Sequence, residues 1–273
     1  MLKTRIITAL ILGPLVLAAI IFLSPLYFAI FSAIVLALAA WEWGDLSGLP
    51  ARSRLFFSGA VLLAFQAMWD FDVQTQRSLL HASLVLWGII FWWVKTYPGS
   101  ATVWGSSTKR AFLGLFILCF SWLSLNLLKQ HEQGVFLIFL LLAMVWAADI
   151  GAYFAGRRWG DRKLLPAVSP GKTWAGVYGA LVSTVLVTFL MLFFSGYLQN
   201  APVSSWLLFA LLAVVMTVVS IAGDLAESMV KRHRGVKDSG KILPGHGGIM
   251  DRIDSLVAAL PLYTVALIQM GHL

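Results

Sequence analysis

Long apolar runs separated by short polar joints dominate the chain. Nine stretches approach the roughly 20 residues that a helix needs to cross a bilayer. They are 6–23, 26–43, 55–69, 78–94, 111–128, 134–155, 173–198, 202–223 and 249–271. Ser24-Pro25 turns the first into the second, the 55–69 stretch is short, and the sixth carries Asp149 within its final turns. The pattern predicts an all-α protein, a polytopic membrane helix bundle of about nine transmembrane helices. No polar stretch is long enough for a separate soluble domain. Residues 1–273 therefore read as a single membrane-embedded domain, with N-terminal helices over 1–133 and catalytic helices and cytoplasmic loops over 134–273.

Composition and charge sharpen this picture. The chain is 60% hydrophobic and 12% charged, against about 25% charged in soluble domains. Met1-Leu2-Lys3-Thr4-Arg5 imitates the start of a signal peptide. Residues 6–40 contain no charge, however, and no small-residue cleavage site follows, so the first span reads as uncleaved. With the N-terminus cytoplasmic, 18 of the 20 Lys and Arg residues fall on inner loops and flanks, and only Arg77 and Lys129 fall outside. The positive-inside rule expects that bias. Deleting the short third span would reverse it for Arg157–Lys172. Net charge +8 thus describes a basic face beside anionic lipid, not a nucleic-acid binder. The single Cys119 excludes a disulfide within the chain.

Against this background one stretch stands out. Asp224–Asp254, reading DLAESMVKRHRGVKDSGKILPGHGGIMDRID, crowds ionisable side chains between two hydrocarbon segments. Charge at membrane depth is costly and marks chemistry or transport. Carboxylates suit a hard cation, Lys and Arg suit phosphate oxygens, and Gly-His-Gly-Gly lets backbone N–H groups approach an anion. Asp224, Glu227, Ser228 and Lys231 recur at i, i+3, i+4 and i+7, one helical stripe. Asp251, Asp254 and Ser255 repeat i, i+3, i+4 at the start of the last span. The two antiparallel spans can turn these stripes toward each other. Asp224 and Asp251 fit as a carboxylate pair for Mg²⁺, which takes one or two carboxylates plus substrate phosphates. Gly247-Gly248 reads either as an anion cradle or as a plain helix-initiating turn. His246 reads either as a hydrogen-bonding loop residue or as a base.

Two further cytoplasmic features bear on the site. Asp149 and Tyr153 share a helical face. Ser169-Pro170-Gly171-Lys172-Thr173 shapes a turn before the seventh span, where a helix N-terminus with a Lys beside it suits an anion. The P-loop spacing is absent. Trp41-Glu42-Trp43-Gly44-Asp45 ends the second span. It reads as an interfacial aromatic belt with two solvated acids, or else Glu42 and Asp45 line the site from the side.

Ser228-Met-Val-Lys231-Arg232, then Lys237-Asp238-Ser-Gly240, then Leu243-Pro244-Gly-His246-Gly247-Gly248-Ile-Met-Asp251-Arg252-Ile-Asp254 resembles the defining motif of the phosphatidate cytidylyltransferases, or CDP-diacylglycerol synthases. The DIGAY, GRRWG and SPGKTW elements are also similar to that family. Ala175 stands where the family often has Glu after Thr-Trp. The resemblance implies transfer of the cytidylyl group of CTP to phosphatidic acid, giving CDP-diacylglycerol and pyrophosphate. It further implies dependence on Mg²⁺ with K⁺ as a possible second cation, a homodimer, and a multi-pass bacterial-type inner membrane location with a cytoplasmic site.

Carried onto that reaction, Asp224 and Asp251 would hold metal, and Lys231, Arg232 and Lys237 would clamp phosphates. Ser228 and Asp254 would orient ligands or water. Asp238 and His246 complete the catalytic set. Asp149, Ser169, Lys172, Thr173, Gly247 and Gly248 would serve the nucleotide. A transporter would instead place charges near the bilayer midplane in repeated broken helices. A CDP-alcohol phosphotransferase would carry an Asp-Gly-x2-Ala-Arg…Gly-x3-Asp-x3-Asp pattern, which is absent.

Overall fold

The computed structural model describes residues 2–273, with side chains described from Ile6 onward. Lys3 and Arg5, counted above among the inner basic residues, therefore lie outside the described side chains. Each of the nine expected stretches is a helix. The long helices are α1 (Leu2–Phe22), α2 (Pro25–Leu46), α3 (Ala51–Trp69), α4 (Val73–Lys95), α6 (Ser107–Gln130), α7 (Gly134–Trp159), α8 (Trp174–Ser195), α9 (Val203–His233) and α10 (Met250–Gln269). A single turn, α5 (Ala101–Trp104), lies between α4 and α6.

Local chemistry sets the boundaries. Pro25 opens α2 at its first turn, where its missing N–H costs nothing. The Asp72 carboxylate accepts the Thr75 N–H at 3.0 Å to start α4. The Thr173 hydroxyl accepts the Gly176 N–H at 3.2 Å to start α8. Gly196, in the left-handed region at φ +68°, ends α8.

Among the described residues, six helices are long and apolar enough to cross a membrane: α2, α4, α6, α7, α8 and α9. The apolar part of α1, Ile6–Phe22, is shorter. The expected nine helical segments are thus present, whereas six of them carry the length and composition of a span. α10 departs for a physical reason. It is the buried partner of other helices, so it can keep Asp251, Asp254, Ser255 and Thr264, and Tyr263 donates to the Leu137 carbonyl at 3.1 Å. Large apolar side chains such as Phe22, Phe56, Phe194 and Val203 face outward, as a lipid-facing surface requires.

The protein is all-helical apart from one small sheet. The loop expected between the sixth and seventh spans forms a two-stranded antiparallel hairpin, β1 (Lys163–Leu165) with β2 (Ser169–Thr173). Its turn is closed by the Val168 N–H donating to the Leu165 carbonyl at 3.1 Å, and the Val168 side chain is fully buried beneath it.

Two close helix pairs position the site. α7 and α8 meet through small residues. A Cβ on Gly151 would collide with Ser183 and the Gly179 backbone, and one on Gly179 would collide with Ala155 and the Gly151 backbone. Small residues allow such backbone approach in membrane bundles, and the Ser183 hydroxyl donates to the Ala147 carbonyl at 2.7 Å. α9 and α10 run antiparallel in similar contact, with a Cβ on Gly223 falling 2.7 Å from Ala258 Cβ. The Ser255 hydroxyl there donates to the Ser220 carbonyl at 3.0 Å.

Candidate active site

The α7–α8 contact delivers Asp149, Tyr153 and Arg157 to one wall of a cavity of about 480 Å³. β2 supplies Lys172 and Thr173 to a second wall, and α9 supplies Ile221 and Asp224 to a third. Residues from three separate stretches of sequence therefore share one space. Lys172 Nζ lies 2.7 Å from Asp224 Oδ2 and also donates to the Ile221 carbonyl at 3.2 Å. An ammonium has three N–H donors, so one remains for a ligand. The Ser228 hydroxyl donates to Asp224 Oδ1 at 3.1 Å, confirming the i, i+4 relation. Arg157 Nη1 donates to the Tyr153 hydroxyl at 3.0 Å. The Asp149 carboxylate has no hydrogen bond or salt bridge among the described residues, and the charges of Lys172 and Asp224 both reach it.

Two helical turns further along α9, about 10 Å at 1.5 Å per residue, Lys231 anchors a second cluster. Its ammonium lies 2.7 Å from Glu227 Oε2 and 2.7 Å from Asp251 Oδ1, with little solvent reaching any of the three. Asp251 Oδ2 accepts the N–H groups of Ser239 and Gly248, both at 2.9 Å. Gly247, at φ +88°, stands so close that a Cβ there would fall 2.9 Å from Asp251 Oδ2. The Gly-Gly pair thus cradles a carboxylate of its own chain. Asp254 sits within electrostatic reach of Asp224 and Glu227, and its Oδ1 accepts the Ser255 N–H at 2.7 Å.

The remaining expected residues lie around these two clusters. Lys237 and Asp238 are exposed and line a separate surface cavity of about 540 Å³ with Trp41, Glu42, Asp45 and Lys241. Arg232 Nε donates to the Val168 carbonyl at 3.3 Å, tying α9 to the hairpin. The His246 backbone closes a turn onto Leu243, and its carbonyl accepts two bonds from the Arg252 guanidinium. The His246 ring Nδ1 is buried without a partner. Ser169 pairs with Leu165 across the hairpin and stands apart from the residues lining the cavity of Asp149 and Asp224.

Two acids that the sequence left without an assigned role take part in these contacts. Glu227 is the second partner of Lys231, and its place on the α9 stripe was the available signal. Glu42 is only 2% exposed, so the picture of a solvated interfacial acid does not hold for it. The signal was a lone acid ending a span that is otherwise uncharged. Its neighbour Asp45 does pair at the surface, with Arg54.

Among the described residues, no three Asp, Glu, His or Cys side chains are gathered as a ready-made cation cage. Asp251 accepts Lys231 on one carboxylate oxygen and two amides on the other, which leaves fewer of its roughly four acceptor positions open to a cation. Asp224 is one-third exposed and Asp149 is unpaired, and both face the same cavity.

Known proteins are similar to this chain along nearly its whole length. A family model described as the cytidylyltransferase family matches residues 3–269. A Pseudomonas aeruginosa protein named phosphatidate cytidylyltransferase is 44% identical, covering 99% of this chain and 98% of its own length. A Haemophilus influenzae protein of the same name is 37% identical, covering 97% and 98%. One from Brucella suis is 40% identical, covering 96% and 91%. The chain belongs to the phosphatidate cytidylyltransferase family and is a transferase.

Proposed function

We propose that the protein transfers the cytidylyl group of CTP to phosphatidic acid, forming CDP-diacylglycerol and releasing pyrophosphate with Mg²⁺ present. The observation that carries this reading is the meeting of Asp149, Lys172 and Asp224 in one cavity. It supplies two carboxylates, an ammonium with a spare donor, and apolar walls from Ala152, Val177 and Ile221. A phosphate head beside hydrocarbon needs that combination.

The chemistry asks little of a general base. A phosphate monoester has a second pKa near 6, so phosphatidate is largely a dianion at neutral pH. One of its oxygens attacks the α-phosphorus of CTP, a P–O–P bond forms, and pyrophosphate leaves with the electron pair. Catalysis then consists of alignment and of neutralising charge on the phosphates. Lys172 binds and orients phosphate oxygens within the cavity. Lys231 holds its position through Glu227 and Asp251 and presents its third N–H about two turns away along α9. Arg232 and Lys237, which lie outside the Lys172 cavity, would supply further positive charge to the phosphates.

Mg²⁺ suits the donor set, because it takes one or two carboxylates plus substrate phosphates. Asp224, with Asp149 beside it, would hold the ion. Asp251, the other carboxylate expected to hold the ion, also contacts Lys231. The bound cation would neutralise phosphate charge, and K⁺ could serve as a second. Nine spans with a cytoplasmic N-terminus would place the cavity at the cytoplasmic face of a bacterial inner membrane, and the active form would be a homodimer.

The acceptor tests the reading. Purified protein in phospholipid vesicles with CTP and Mg²⁺ should consume added phosphatidate and leave diacylglycerol untouched, because diacylglycerol lacks the phosphate nucleophile. Phosphorylation of diacylglycerol, with phosphatidate inert, would replace the proposal with a lipid kinase.

A further inference from the structure

The geometry points to Glu42 as a positioning residue for this reaction, a buried α2 carboxylate that fixes the glycine-bearing loop of residues 234–249 and, through it, Asp251 and Lys231. The inference rests on the proposed transfer reaction.

Glu42 Oε2 accepts the Ser239 hydroxyl at 3.1 Å and the Met250 N–H at 2.9 Å. These two contacts flank residues 240–249 on either side. Ser239 also donates its N–H to Asp251 Oδ2 at 2.9 Å, and its hydroxyl accepts the Asp251 N–H at 3.3 Å. Gly248, the other amide donor to Asp251, packs directly on Glu42. A Cβ on Gly248 would collide with Ser239 Oγ and Glu42 Oε2, and a Cβ on Gly240 would collide with Glu42 Oε1. Only glycine lets the loop close on this carboxylate from both sides. The chain of contacts runs from Glu42 through Ser239 to Asp251 and on to Lys231.

Burying a carboxylate without a cation is costly. Glu42 has no Lys or Arg partner among the described salt bridges, and its Oε1 has no hydrogen-bond partner. A role limited to packing would be served by an apolar side chain. The carboxylate instead supplies two acceptor positions that hold the donors of Asp251 in register. Misplacing reacting groups by about 1 Å can cost roughly 100-fold in rate.

The test compares Glu42→Ala, Glu42→Gln and the surface control Asp45→Asn in purified, folded protein. Glu42→Ala should lower kcat by roughly 10- to 100-fold with KM for CTP little changed. Glu42→Gln keeps an oxygen acceptor for Ser239 and Met250 and should restore most of kcat, and Asp45→Asn should match the parent. In a Ser239→Ala background, Glu42→Ala should cost far less than it does alone, because both act on Asp251. Independently of activity, hydrogen exchange at the Ser239 and Gly248 amides should quicken in Glu42→Ala and not in Asp45→Asn. If Glu42→Ala does not fold, Glu42→Asp, one methylene shorter, serves for every measurement. Unchanged kcat and unchanged amide exchange in the folded variant, or equal losses in both backgrounds, would overturn the inference. A parent protein inactive toward CTP and phosphatidate would sink the proposed reaction, while the exchange data would still judge Glu42.

Discussion

Lys172 Nζ and Asp224 Oδ2 lie 2.7 Å apart, joining a hairpin strand to the middle of α9 across 52 positions of sequence. The pair is part-exposed, so it contributes little to stability, since exposed pairs are worth about 0–1 kcal/mol. Its placement in a cavity beside unpaired Asp149 gives it another use. On the proposed reaction, phosphate and metal would each take one partner of the ion pair when they bind.

That arrangement separates two carboxylates that sequence alone treats as a pair. Asp224→Asn should abolish turnover or raise the Mg²⁺ concentration required by more than tenfold, with thermal unfolding unchanged, and Asp149→Asn should shift the Mg²⁺ requirement in the same direction. Asp251→Asn leaves the buried Lys231 short of a partner. It should lower stability by about 3 kcal/mol as well as turnover. Titrating activity with Mg²⁺ beside thermal melts in detergent checks this. An Asp224→Asn variant active at ordinary Mg²⁺ would remove the residue from the metal role.

Lysines that grip phosphate should differ from lysines that merely anchor the chain to anionic lipid, the latter being worth about 1 kcal/mol each. A planar guanidinium does not replace a compact ammonium at a fixed geometry. Lys231 is also wedged between two acids, so the bulkier fork has no room. Lys231→Arg and Lys237→Arg should lose most of kcat/KM, and Lys172→Arg should lose less because its strand can shift. Lys109→Arg should lose almost nothing, since Lys109 is exposed and its ammonium donates to the Val103 carbonyl, away from both clusters. Equal tolerance at Lys231, Lys237 and Lys109 would return all three to anchoring.

Backbone room gives a sharper contrast. A Cβ on Gly248 has no space between Ser239 and Glu42, whereas one on Gly59 in α3 meets nothing within 4 Å. Gly248→Ala should therefore abolish activity and lower the unfolding temperature. Gly59→Ala should be neutral or stabilising by up to about 1 kcal/mol, because alanine is the better helix former. Normal activity in Gly248→Ala would contradict the loop packing.

The helices were legible because an apolar run of span length leaves few alternatives, and the α9 stripe followed from helical periodicity alone. The 163–173 hairpin was not legible: its strands are three and five residues long and sit in a basic, Pro-containing loop with no alternation to read. The Asp149–Lys172–Asp224 meeting is long-range and needs the small-residue contact between α7 and α8. The roles of Glu42 and Asp251 turn on who donates to each oxygen, which spacing cannot reveal. α10 shows the limit of hydropathy, because a helix buried by protein need not be as apolar as one facing lipid.

Sidedness is open to direct labelling. Ser239 is 2% exposed and unsuited to a probe, while Lys241 and Asn200 are exposed and Cys119 is buried. Lys241→Cys should react with an impermeant thiol reagent only from the cytoplasmic side, and Asn200→Cys only from the opposite side. Reaction of both from one side would overturn the nine-span arrangement.

The transfer itself is followed most directly by CTP carrying label on the α-phosphate or, in parallel, on the γ-phosphate. The α-label should enter the lipid phase only when phosphatidate is present, and the γ-label should stay in water as an equal amount of pyrophosphate. Both signals should vanish in Asp224→Asn. Lipid carrying the γ-label, or undiminished transfer of the α-label by Asp224→Asn, would contradict cytidylyl transfer at the Lys172–Asp224 cavity.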